Sequence, residues 1–117
     1  MQTNQNNNMI SFKGIIFKNK SLYAKYGNGI VGSIRTNKVV ESFKKRRDVD
    51  IVFSAENAGG WANFYWQIRK NGGVIESLKN LFLPKVFFKS SQLASKPHAN
   101  EITQEVVDAY IRKYLNS

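Results

Sequence analysis

DVDIVFSAENAGGWANFYWQIRK, residues 48–70, holds two strand-like runs separated by Gly59-Gly60. DVDIVFSAE reads as a strand, AENAGG as the loop after it, and WANFYWQIRK as a second strand. In the second run Phe64, Trp66 and Ile68 share one parity, and Asn63, Tyr65, Gln67 and Arg69 the other. Successive strand side chains point to opposite sides, so the first set predicts core. The second set predicts an exposed stripe of amide, phenol and guanidinium.

Working toward the N-terminus, MISFKGIIF and SLYAKYG also read as strands. Leu22, Ala24 and Tyr26 alternate with Tyr23 and Lys25. Gly27-Asn28-Gly29 then reads as a tight turn before IVGSIRT, giving three consecutive antiparallel strands over residues 9–36. A helical period follows, capped by Thr36 or Asn37, with Val39, Val40 and Phe43 on its apolar side. Its last turn carries Lys44-Lys45-Arg46-Arg47.

Beyond residue 70, Val74, Leu78, Leu81 and Phe82 are spaced as one side of a short helix that Pro84 ends. KVFFKS reads as a short strand, SSQLASKPHAN as a loop, and EITQEVVDAYIRKYL as a helix with Ile102, Val106, Tyr110 and Ile111 on its stripe. The resulting expectation is α+β: a mainly antiparallel sheet of five to six strands with two to three helices packed on one face. Residues 9–117 form a single domain behind a flexible polar tail, residues 1–8. Length agrees, since domains cluster near about 100–150 residues.

Charge narrows the partner. Lys and Arg number 18 against 8 Asp and Glu in 117 residues, a formal net charge of +10. Such a field gathers polyanions but does not set a fold. Residues 100–117 hold three acidic and two basic groups, so the rest of the chain carries a net +11. The C-terminal helix therefore lies outside the basic field and suits packing or homo-oligomer contacts. Cysteine is absent and His98 is the one histidine, so thiolate chemistry and paired-imidazole sites are excluded. No apolar run reaches membrane-spanning length, and the helix over 37–47 is too short in apolar area to bind a bilayer surface. The expected address is cytoplasmic, and no cofactor or metal is expected.

Four cations in succession exceed what a helix C-terminus needs to offset its dipole. Lys44, Lys45, Arg46 and Arg47 are thus the candidate phosphate ligands, extended by Arg69, Lys70, Lys13 and Lys25. Tyr65 and Tyr23 fall on the solvent parity and are the candidate base stackers. These features predict a non-catalytic nucleic-acid-binding protein that contacts the phosphates of single-stranded DNA or RNA. Two alternatives stand beside it. Asp48, Asp50 and the Gln67-Ile68-Arg69-Lys70 end of a strand resemble a degenerate Asp…(D/E)xK metal-nuclease arrangement, with Gln where a carboxylate belongs. A phage- or plasmid-type accessory protein docking an acidic protein partner would show the same charge.

Overall fold

A computed structural model describes residues 10–12, 14–71, 78–88 and 99–115. The polar tail, Lys13, Val74 and the start of its helix, and His98 with most of its loop lie outside them. The strands are β1 (Ile10–Phe12), β2 (Ile15–Phe17), β3 (Val49–Asn57), β4 (Ala62–Lys70) and β5 (Val86–Phe87). The helices are α1 (Lys20–Tyr26), α2 (Asn28–Thr36), α3 (Lys38–Glu41) and α4 (Gln104–Tyr110). In the sheet the order follows the sequence, β1-β2-β3-β4-β5.

β3 and β4 form the long hairpin at the centre, paired from Val49↔Lys70 to Asn57↔Ala62. Gly59 and Gly60 close it in the left-handed region, at φ 69° and 96°. Phe64, Trp66 and Ile68 are buried in the core with Val49, Ile51, Phe53 and Ala55 of β3. The alternation of this segment carried that assignment directly.

The segment before the hairpin departs from expectation. The sheet is mixed, not mainly antiparallel, because β2 runs parallel to β3 with Ile15↔Ile51 and Phe17↔Phe53 opposed. Parallel neighbours require a crossover, and residues 18–48 supply it as α1, α2 and α3. SLYAKYG and IVGSIRT are therefore helices, not strands. Tyr23, Gly27, Ile30 and Ile34 are all buried, a 4-3-4 spacing that marks one side of a helix. The period-2 reading of residues 22–26 grouped Tyr23 with Lys25 and missed that stripe. Gly27 is a bend between two helices, not part of a hairpin. With α1 to α4 among the described residues, the fold is α+β overall but carries more helix than the two to three expected.

Asn37 caps α3 and also ties the layer together. Its Oδ1 accepts from the Val39 and Val40 amides, while Nδ2 donates to the Ala99 and Ile102 carbonyls. Tyr23 is 2% exposed, and its hydroxyl donates to the Ser54 carbonyl at 2.9 Å. At the other end of the chain, α4 continues into a wide π turn over Ile111–Leu115. A π turn places residues five apart on one side, so Tyr110 and Leu115 are both buried. Val106, expected on the apolar stripe, is exposed, and Val107 takes its place in the core.

Gly14 joins β1 to β2 with φ +83°, and a Cβ there would lie 1.9 Å from the Phe43 carbonyl oxygen. That approach locks the first hairpin against the turn after α3. Gly14→Ala is expected to destabilise the fold by about 2–4 kcal/mol, since positive φ and a backbone clash both oppose it. Urea unfolding midpoints would measure the change, and an unaltered midpoint would refute the close approach.

Candidate functional site

The two faces of the sheet differ in chemistry. Buried residues of every described helix join one core on the near face, which takes Ile51, Phe53, Phe64 and Trp66. On the far face lie Asp50, Val52, Ser54 and Glu56 of β3 against Arg69, Gln67, Tyr65 and Asn63 of β4. Ile16 and Val52 are buried there yet stand outside the helical core cluster. The buried polar residues, Ser54 and Gln67, both belong to this far face.

Three cations meet over it. Lys18 prolongs β2, its amide donating to the Phe53 carbonyl at 2.8 Å. Arg69 comes from β4, and Lys85 immediately precedes β5. Together with Gln67, Asn80, Leu81 and Leu83 they line an open cavity of about 330 Å³. Burial pushes the Lys18 ammonium below its ordinary range, and the positive charges of Arg69 and Lys85 push it further. Among the described residues the one ion pair is Arg46–Asp48, and the cavity's described lining holds no carboxylate; Asp50 faces Arg69 across the β3–β4 pair without forming an ion pair with it.

Unsatisfied polar atoms gather on the same face. Of the four buried side-chain atoms without a hydrogen-bond partner among the described residues, Ser54 Oγ, Asn63 Oδ1 and Arg69 Nε lie there, and the fourth, Trp66 Nε1, belongs to the near-face core. Buried polar atoms are normally paired, so such a cluster points to a surface built to meet something polar. Gln67 is fixed from beside, its Nε2 donating to the Leu83 carbonyl at 3.3 Å. Next along the face, the Tyr65 and Phe87 rings lie 5.5 Å apart, centroid to centroid. The neighbouring Glu56 carboxylate holds the Tyr65 phenol above its usual range.

The sequence-based candidates do not form one patch. Lys44 and Lys45 are exposed in the 3₁₀ turn Ser42–Lys45, and Arg47 is exposed beyond it. Lys44 borders a separate near-face cavity of about 560 Å³ with Ile15, Phe17 and Val31. Arg46 is spent on Asp48 at 2.9 Å and lies over the Phe43 ring. Lys25 is exposed on α1, its ammonium 5.2 Å from the Tyr26 centroid. Lys70 lines a third cavity with Lys79, Lys113 and Tyr114. Tyr23 packs against Phe17 and Phe64, which leaves its ring no face for a base. Of the nine that fall within the described residues, Arg69 and Tyr65 share the far face.

Lys18 and Lys85 escaped the sequence reading. Lys18 has the parity of Ile16 and Lys85 that of Phe87, a signal that becomes useful only once the strand order is known. The carboxylates of the nuclease alternative do not converge. Asp48 is bound to Arg46, while Asp50 sits opposite Arg69 and its Oδ1 accepts from Asn71. Among the described residues no three His, Cys, Asp or Glu side chains gather as a metal site. Comparison of the chain with protein-family models, with curated proteins and with solved structures finds no match.

Like charges held together cost stability. Lys18→Met is therefore expected to raise stability, by less than about 1 kcal/mol because the site is partly solvated. The sign with pH follows from the depressed ammonium. Between its folded value and the ordinary 10.5 the unfolded chain binds more protons, so wild-type stability gains on the variant as pH rises. Denaturation of both proteins between pH 7 and pH 10 measures the gap, which should shrink; a destabilised variant would mean that the trio carries no strain.

Proposed function

We propose that this chain is a small non-catalytic nucleic-acid-binding protein that takes single-stranded DNA or RNA across the far face of its sheet. The observation that carries the reading is the convergence of Lys18, Arg69 and Lys85 on one cavity lacking a described carboxylate partner. Phosphates supply the missing charge, and Tyr65 with Phe87 offers aromatic surface on the same face. Base–aromatic stacking contributes about 1–3 kcal/mol per base and tolerates any sequence. Lys44, Lys45 and Arg47 add field at a distance, since exposed cations steer polyanions without touching them.

A second reading has its own observation. Leu81 and Phe82 are 75% and 87% exposed, beside Lys79 in the segment between β4 and β5. Apolar side chains flanked by cations fit an acidic protein partner as well as a nucleic acid.

Binding of a short single-stranded oligonucleotide should weaken steeply with salt, the log–log slope falling by about 0.7 for each phosphate contact removed. Replacing Lys18, Arg69 and Lys85 together with Gln should lower that slope by about 2, whereas Lys25→Gln should leave it unchanged. An unchanged slope in the triple variant would reject the far face as the binding surface. For the second reading, an acidic partner should survive nuclease treatment in a pull-down and be lost from Phe82→Ser; a Phe82→Ser variant that retains it would reject that reading.

A further inference from the structure

The charge count of the far-face cavity says more than that phosphates bind. Each internal phosphodiester of a strand carries one negative charge, which one lysine or arginine matches. Here three cations converge on one small cavity, and the Lys18 ammonium is destabilised by burial and, beyond that, by the other two. A phosphate monoester carries about −1.5 to −2 at pH 7 and offers three strong acceptor oxygens. That is the anion whose charge comes nearest to balancing the trio.

Shape agrees with charge. The volume, about 330 Å³, is at the small end for a ligand pocket and suits a phosphate with its sugar more than a run of nucleotides. Asn80, Leu81 and Leu83 wall it, and the Gln67 bond to the Leu83 carbonyl holds that wall to β4. Arg69 brings a planar fork suited to two phosphate oxygens, and its Nε is buried and unpartnered among the described residues. Two strand positions from Gln67 on the same face, Tyr65 and its neighbour Phe87 offer aromatic surface.

We infer that the Lys18–Arg69–Lys85 cavity recognises the terminal phosphate monoester of a single strand, with the adjoining base laid on Tyr65 and Phe87. The inference rests on the far-face reading above and narrows it from phosphates in general to a strand end. It concerns binding alone; no bond is made or broken.

The test uses the full chain and matched oligonucleotides with an internal fluorophore, carrying a 5′-phosphate, a 3′-phosphate or hydroxyls at both ends. One phosphorylated end is expected to bind roughly tenfold more tightly than the hydroxyl-ended strand, as befits an added charge-assisted contact. The preference should grow between pH 5 and pH 7 as the monoester loses its second proton near about 6. Arg69→Gln and Lys85→Gln should erase the preference while leaving weaker, salt-sensitive binding of all three strands. Equal affinity for the three strands in the unmodified protein would overturn the inference and leave single-strand binding standing. Failure of every strand to bind at low salt would overturn both. If a variant unfolds, Lys18→Gln serves in its place, and an end preference that persists there would count against the site.

Discussion

Parallel pairing of β2 with β3 is the constraint from which the rest of the architecture follows. Two parallel neighbours cannot be joined by a hairpin, so residues 18–48 must leave the sheet and return to the end they started from. They do so as three helices, whose buried residues Tyr23, Ile30, Ile34 and Val40 cover the near face. Gly14 permits this pairing by letting the first hairpin lie directly on the Phe43 carbonyl. The Tyr23 hydroxyl and the Asn37 amide then fasten the crossover to β3 and to the segment before α4.

Stacking the helices on one face leaves the opposite one to be finished with polar side chains. Its centre is nevertheless closed to solvent, with Ile16 and Val52 buried beside Ser54 and Gln67. Cations at its borders are thus partly desolvated and feel one another, and both effects, burial first, depress the Lys18 ammonium. Elsewhere the chain neutralises or solvates its charge: Arg46 has Asp48, and Lys44 and Lys45 project into solvent. Uncompensated charge in a partly enclosed site is a cost that stability alone would not maintain.

Residues 48–70 were legible in advance because a hairpin is local. Alternation named Phe64, Trp66 and Ile68 as core with no knowledge of what packs on them. Residues 20–36 misled because their short apolar–polar alternation also contains the 4-3-4 stripe Tyr23, Gly27, Ile30, Ile34. Only the helical stripe has a surface to bury against, so tertiary packing decided between two periods of similar strength. Val106 and Val107 show the same limit at smaller scale: Ile102 precedes α4, so a helical stripe counted from it points to Val106, whereas Val107 is the one buried. The charge run at 44–47 drew attention by being contiguous, yet contiguity along the chain scattered its members between solvent, an ion pair and another cavity.

By itself, then, the sequence determined the two strands of the central hairpin, a helix cap at Thr36 or Asn37 and the surplus of positive charge. Each depends on neighbours in the chain or on totals. Tertiary structure alone decided that β2 lies beside β3 and that Lys18, Arg69 and Lys85 share a cavity. Those three residues are distant in sequence, and what joins them is strand order, which no local pattern encodes.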